Sequence, residues 1–199
     1  MAMNLVLSPI DLPVRLTPPA PLNDEQLLEF CALNEGVRVE RNAHGELIVM
    51  SAATSKTSGR NMDLCTELNN WAHADGRGKA FDSSGGFTLP DGSMRNPDAA
   101  WILYSRWDAL SEEEQDSFAP LCPDFVIELC SPSDRLPDVQ EKMGMWLANG
   151  VKVGWLIDPK RRVVEVYRPG KETEVHQDPA SVRGDEPVRG FELVLERVW

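Results

Sequence analysis

One segment constrains the fold more than any other, residues 123–139 with the sequence PDFVIELCSPSDRLPDV. Its short apolar run at 125–127 leads into Glu128 and is bounded by Pro123 and Pro132. A run this short and rich in β-branched residues is typical of a strand buried on both faces. An ionised carboxylate at the end of such a strand is costly unless it is paired or holds a cation. Glu128 is therefore the first candidate for a functional side chain.

The residues that follow predict how this strand is covered. A helical pattern at 139–149 has Met143 and Trp146 on its buried stripe and ends at Gly150, a typical left-handed stop. An apolar run at 153–158 then predicts a second strand. A strand, a helix and a strand in this order form a βαβ unit, which implies a parallel pair. The acid then lies at the carboxyl end of its strand, where ligands of α/β sheets gather.

The rest of the chain predicts one domain of the α/β class, in which helices flank a mixed sheet. A chain of 199 residues corresponds to a single ordinary domain. Residues 1–22 are rich in proline and predict an extended arm, so the domain is expected to span 23–199. The remaining expected elements are helices at 25–33 and 55–74, a hairpin of 37–41 and 46–50, and strands at 79–82, 87–89, 95–102, 163–167 and 191–199.

Composition limits the function classes. The net charge of −12 opposes broad attraction to nucleic acid, which depends on Lys and Arg, but it leaves room for a local basic patch. No apolar stretch approaches the roughly 20 residues of a membrane-spanning helix, and the N-terminus lacks the pattern of a signal peptide, so a cytoplasmic protein is expected. The four cysteines lack zinc-site spacing and are expected to be reduced structural thiols.

Two further groups accompany Glu128. Pro97 fixes the backbone before Asp98, which places this acid at the edge of a strand, and Lys142 lies at the border of the buried face of the 139–149 helix. Two carboxylates and one lysine suit a Mg²⁺-assisted phosphodiester hydrolase, in which the acids hold the metal and the ammonium orients the attacking water. The same residues suit a purely structural ion-pair network equally well, and spacing does not separate the two interpretations.

A family resemblance favours the first interpretation. The chain resembles the Uma-type restriction endonucleases, a bacterial family of the PD-(D/E)xK nuclease superfamily, over roughly residues 23–168. The motifs that carry the resemblance are Arg95-Asn96-Pro97-Asp98, Pro123-Asp124-Phe125-Val126-Ile127-Glu128 with Ser131-Pro132-Ser133-Asp134, Lys142 with Trp146, Gly150-Val151, Trp155-Leu156-Ile157-Asp158-Pro159, and the hairpin from Glu40 through Gly45-Glu46 to Met50-Ser51.

The resemblance implies a restriction-endonuclease-like core with DNA as substrate. Asp98 and Glu128 are then metal ligands for Mg²⁺ or Mn²⁺, with the carbonyl of Leu129 as a further ligand. The superfamily lysine usually stands two residues after the acid, where this chain has Cys130, so the resemblance assigns that role to Lys142 on the helix.

The resemblance also offers outer acids and shows one departure. Glu46 is the first choice for an outer acid at the same site, and Glu40 is the second. Many relatives carry a histidine early in the long helix, about where this chain has Thr57.

Two alternatives stay open. The missing histidine and the acidic balance suggest a catalytically inactive module that keeps the nuclease fold for binding. The apolar C-terminal strand at 191–199 suggests a homodimer.

Overall fold

The computed structural model describes residues 13–34 and 36–199. Its helices are α1 (Asp24–Leu33), α2 (Ser55–Asp75), α3 (Tyr104–Trp107), α4 (Glu112–Gln115) and α5 (Leu136–Ala148). Its strands are β1 (Val14–Leu16), β2 (Val37–Arg41), β3 (Leu47–Ser51), β4 (Gly78–Asp82), β5 (Phe87–Thr88), β6 (Met94–Arg95), β7 (Ala99–Leu103), β8 (Phe125–Leu129), β9 (Val153–Asp158), β10 (Val163–Tyr167), β11 (Glu174–Gln177), β12 (Ser181–Arg183) and β13 (Glu192–Val194).

Local signals explain where the main helices begin and end. Helix α1 starts with a capping box, in which the Gln26 backbone amide donates to the Asn23 side chain and the Asn23 backbone amide donates to the Gln26 side chain. Helix α2 is capped by the side chain of Thr54, which accepts from the Thr57 amide, and ends at Gly76 with a left-handed φ of 72°. Helix α5 begins at Leu136, three residues earlier than predicted, because Pro137 is tolerated in its first turn.

The larger sheet carries the predicted βαβ unit. Its strand order is β11-β10-β9-β8-β7-β4, and β8 and β9 pair in parallel while the other neighbours are antiparallel. Helix α2 packs on one face of this sheet and α5 on the other, each over its own apolar core. The α/β class with a mixed, helix-flanked sheet is confirmed.

A second sheet meets the first where the predicted strand 95–102 divides. Residues Met94 and Arg95 form β6 in a five-stranded sheet of order β1-β3-β2-β6-β5, whereas β7 belongs to the larger sheet. Pro97 has no amide hydrogen for a ladder, so pairing stops there and the chain crosses between the sheets. The amide of Asp98 then donates to the Ile127 carbonyl at 3.1 Å, which joins this crossing to β8.

The two ends of the chain bear on the remaining predictions. Strand β1 pairs with β3, and residues 1–12 of the predicted arm lie outside the described residues, so the boundary at residue 22 stays a prediction. At the other end, Phe191, Leu193 and Leu195 are buried in this chain's own core. The apolar strand that suggested a homodimer is thus satisfied internally, and the homodimer stays a prediction.

The thiol and membrane predictions can also be compared with the described residues. All four cysteines are free thiols, as expected. Within the described part of the chain, no helix has the length and apolar character needed to cross a membrane.

Candidate active site

Four charged side chains converge at the seam between the two sheets. Glu40 comes from β2, Asp98 from the crossing before β7, Glu128 from β8 and Lys142 from α5. The fold therefore assembles them from four segments, and three of them are the predicted Asp98, Glu128 and Lys142.

Glu128 lies on the face of the larger sheet that α5 covers, and only 4% of the residue is exposed. Its Oε1 accepts a hydrogen bond from the Trp146 indole at 2.7 Å and lies 3.0 Å from the Lys142 ammonium. Burial raises the pKa of this carboxyl, and the negative charges of Asp98 and Glu40 raise it further. Together they outweigh the positive charge of Lys142, which lowers it, and the pKa reaches about 7. Glu128 therefore gains a proton near neutral pH.

Lys142 reaches the site because its neighbours on α5 are anchored. Met143 and Trp146 are fully buried against the sheet, as predicted, which leaves Lys142 at the border of that face. Its Nζ donates to Glu40 Oε1 at 2.8 Å and to the Asn96 carbonyl at 3.2 Å. Burial alone would lower the pKa of Lys142, but Glu128 and Glu40 raise it above its ordinary value. Lys142 is therefore a permanent cation and donor, not a base.

Asp98 is the most accessible of the three acids, with 17% of its side chain exposed. Its Oδ2 accepts from the Leu129 amide at 2.8 Å, and its Oδ1 lies 3.4 Å from the Arg38 guanidinium. The acid thus adjoins the backbone at Leu129, one residue beyond Glu128. This contact places the two predicted metal-ligand acids and the predicted backbone ligand next to one another.

Glu40 is a full member of the cluster. Its Oε2 accepts from Arg95 at 2.8 Å, and its Oε1 accepts from the Asn96 amide at 3.2 Å in addition to Lys142. Burial would raise the pKa of Glu40, but the Lys142 and Arg95 charges lower it to about 2. Glu40 therefore stays ionised and holds Lys142 in place.

The contacts of Glu46 lie beside its own turn and not at this cluster, so its role as outer acid stays a prediction, whereas Glu40, the second choice, contacts Lys142 directly. Glu46 Oε2 accepts from the Asn42 amide at 2.7 Å, and its Oε1 lies 3.5 Å from the Thr17 hydroxyl. Both acids lie on the same face of the hairpin. Glu40 lies opposite Ile48, however, and Glu46 lies two residues before Ile48, which is nearer the turn. That displacement keeps Glu46 beside its own turn.

Sequence reasoning missed three supporting groups, Arg38, Arg95 and Asn96. The alternation of β2 was a usable signal, because Val39 packs in the core of the smaller sheet and its neighbours Arg38 and Glu40 must face the opposite way. No such local signal marked Arg95 and Asn96, which were placed inside a continuous strand.

The donor chemistry of the site fits a hard divalent cation. Among the described residues no three His, Cys, Asp or Glu side chains converge in a way that could hold a metal, and Lys142 contacts both Glu40 and Glu128. Asp98 and Glu128 do supply two neighbouring carboxylates, and the amide oxygen of Asn96 is buried without a hydrogen-bond partner in this part of the structure. Mg²⁺ commonly binds one or two carboxylates and completes its shell with water.

Comparisons with known proteins point in one direction. The model of the Uma2 family, described as "Putative restriction endonuclease", matches residues 24–196. A crystal structure titled as "a putative nuclease belonging to DUF820" from Anabaena variabilis matches with a TM-score of 0.72 and 24% identity, over 89% of this chain and 97% of that chain. At that identity the likeness establishes a shared fold. A search of curated proteins finds no match.

Proposed function

Because the chain belongs to the Uma2 family, which is described as "Putative restriction endonuclease", we propose that it is a Mg²⁺- or Mn²⁺-dependent endonuclease that hydrolyses DNA phosphodiester bonds. One observation carries the proposal: the Lys142 ammonium lies 3.0 Å from the Glu128 carboxylate, beside Asp98, although the lysine position of the superfamily motif is occupied by Cys130. The site thus has a lysine near both acids, but this lysine comes from helix α5 and not from the strand that carries Glu128.

Asp98 and Glu128 would hold the metal, with the Leu129 carbonyl as the backbone ligand. The Leu129 amide already donates to Asp98, and the carbonyl of a strand residue points to the same side as its amide. A bound divalent ion supplies charge neutralisation at the phosphate and lowers the pKa of water that will attack it.

The remaining residues position one donor. Lys142 stays protonated, so it can donate a hydrogen bond to the attacking water or to a phosphate oxygen but cannot remove a proton. Glu40 is held ionised by Arg95 and fixes the direction of Lys142, and the Trp146 indole fixes one oxygen of Glu128. Such fixed donors lower the barrier because they need no rearrangement during the reaction.

A plasmid assay tests the proposal. Purified protein with Mg²⁺ or Mn²⁺ should cleave plasmid DNA, and D98N, E128Q and K142M should each reduce the rate by at least about 100-fold, the typical effect of removing one such group. D178N is the matched control, since Asp178 is an exposed acid that pairs with Arg162 away from the site. Cleavage that persists in D98N, or that continues after a chelator has removed the metal, would refute the proposal.

One observation favours a second candidate, a catalytically inactive nuclease-fold module that binds DNA. Lys142 already donates to Glu40, Glu128 and the Asn96 carbonyl, so the charges of Glu40 and Glu128 are paired without a ligand, as in a structural ion-pair network. Titration calorimetry with Mn²⁺ separates the two. Heat of binding that disappears in D98N supports the enzyme, whereas DNA binding with neither metal binding nor cleavage supports the module.

A further inference from the structure

One face of the smaller sheet leads directly out of the candidate site. In the paired register of β1, β3 and β2, Arg15 lies opposite Ile48, and Ile48 lies opposite Glu40. Cross-strand partners point to the same face of a sheet. Since Glu40 points into the site, Arg15 and Ile48 lie on the same face.

The next row of the same face is Met50 opposite Arg38. Arg38 lies 3.4 Å from Asp98 and keeps a third of its side chain exposed. We call the surface formed by Arg15, Arg38, Ile48 and Met50 the arginine face. It begins at Asp98 and extends across three strands.

The opposite face of this sheet is already covered. Val14, Leu16 and Val49 pack there with Leu27 and Phe30 of α1 in an apolar cluster. On the arginine face, by contrast, Arg15 is exposed and Ile48 and Met50 are half-buried. This face is therefore the side of the sheet that remains accessible next to the site.

The charges on the arginine face suit a polyanion. Arg15 forms no ion pair within the described residues, and Arg38 has one long ion pair, with Asp98, besides a 3.5 Å hydrogen bond to the Asn96 carbonyl. The two acids on this face have other partners: Glu40 accepts from Arg95 and Lys142, and Glu46 accepts from Asn42 and Thr17. The chain has a net charge of −12, so positive charges with few acidic partners are unusual on its surface. Arg15 and Arg38 are two such charges, and they lie beside the proposed metal ligands.

The spacing of the two arginines fits a nucleic-acid strand. Strands lie about 4.8 Å apart and rise about 3.3 Å per residue, so two strands and two residues separate the Arg15 and Arg38 Cα atoms by about 12 Å. The rise of about 3.4 Å per nucleotide is measured along the duplex axis, and the phosphates also turn about that axis, so a straight distance of this size joins phosphates about two nucleotides apart on one strand.

We infer that the arginine face binds the phosphate backbone of duplex DNA, with Arg38 at the phosphate nearest the site and Arg15 about two nucleotides away. The inference rests on the proposed function for its substrate and adds the path that the substrate takes. Arg15 contributes to binding and touches no reacting group.

Salt dependence of DNA binding tests this inference without cleavage. Fluorescence anisotropy of a labelled duplex, in EDTA and at several salt concentrations, should show R15A weakening binding about 3- to 10-fold. It should also lower the slope of log affinity against log salt by about 0.9, the loss of one phosphate contact. R15K should keep the slope, because the charge is kept. The control is R183A, which removes a charge that is 80% exposed on β12 and should leave the slope at the wild-type value.

The outcomes separate the inference from the proposed function. A wild-type protein that binds DNA with these slopes but never cleaves it would refute the enzyme and leave the arginine face supported. A protein that cleaves DNA but whose R15A slope equals that of R183A would refute the arginine face alone. Absence of any DNA binding would refute both.

Discussion

The candidate site has two walls, and an acid on each wall contacts Lys142, but the other partners of the two acids differ in charge. On the wall of β2 and β6, Glu40 accepts from two cations, Lys142 and Arg95. On the wall of β8 and α5, Glu128 shares Lys142 and otherwise accepts from the neutral indole of Trp146. Both acids are buried, yet the pKa of Glu40 falls to about 2 and that of Glu128 rises to about 7.

The difference shows that burial alone does not set the behaviour of an acid. Burial raises the pKa of both carboxyls, but Glu40 has a second cation that reverses the effect, whereas Glu128 faces the like charges of Asp98 and Glu40. The β2–β6 wall is thus a fixed support for Lys142. The β8–α5 wall is the adjustable one, where a proton or a metal ion can relieve the excess negative charge.

The strongest test removes the fixed support. E40Q should lower the free energy of unfolding by about 3–5 kcal/mol, because it leaves Arg95 and Lys142 without their shared buried partner. Urea denaturation followed by tryptophan fluorescence measures this loss.

A second buried acid supplies the matched control for this variant. Glu165 is also buried, but its close partners are the neutral donors Gln140 and Tyr167, and its one ion pair is a 3.8 Å contact with the partly exposed Arg161. E165Q should therefore cost less, about 1–2 kcal/mol. Equal losses of unfolding free energy in E40Q and E165Q would mean that the second cation on Glu40 adds no stability beyond that of neutral hydrogen bonds.

The second test acts on the adjustable wall. W146F removes the indole hydrogen bond to Glu128 Oε1 while keeping most of the aromatic volume, so unfolding should become easier by about 1.5–3 kcal/mol, the usual range for a hydrogen bond to a charged group. Loss of this donor should also raise the pKa of the Glu128 carboxyl further. Infrared difference spectra of the carboxyl band against pH measure the second effect.

Trp155 provides the control for the aromatic change. It is buried like Trp146, but its indole nitrogen has no hydrogen-bond partner among the described residues. W155F should therefore cost only packing and leave the carboxyl titration where it is in the wild type. A carboxyl titration that moves equally in both variants would contradict the role given to Trp146.

The same contrast explains how much of the site the sequence could predict. Glu128, Lys142 and the parallel pair all belong to one continuous unit, residues 123–158, in which strand and helix periods place each side chain. Asp98 could be placed at a strand edge because Pro97 precedes it. These groups follow from local patterns.

The β2–β6 wall could not be predicted in the same way. Glu40 meets Lys142 across 102 positions of sequence, through a sheet whose β2–β6 contact is a single registered pair, Arg41 with Met94. The break in the predicted strand 95–102 also decides where Arg95 and Asn96 point. No periodicity within one segment specifies how two sheets approach each other, so sequence reasoning ranked Glu46 above Glu40.

The smallest expected effect is the pH dependence of stability, in which the two walls have opposite signs. The Glu128 pKa is raised from 4.5 in the unfolded chain to about 7, so the folded protein binds the extra proton. The stabilising contribution of Glu128 to the free energy of unfolding is therefore complete below pH 4.5 and is lost as the pH rises through 7. The Glu40 pKa is lowered to about 2, so its contribution is complete above pH 4.5 and is lost as the pH falls toward 2.

Urea denaturation in EDTA between pH 5 and 8 isolates the Glu128 contribution, because Glu40 stays ionised throughout that range. The wild-type protein should lose at most about 1.4 kcal/mol per pH unit on going up to neutral pH, the limit for one proton, and E128Q should remove that slope while E165Q keeps it. A wild-type stability that instead rises toward pH 7 would mean that Lys142 compensates Glu128 as fully as it compensates Glu40. In that case the two walls would be equivalent, and the site would have no excess charge with which to attract a metal ion.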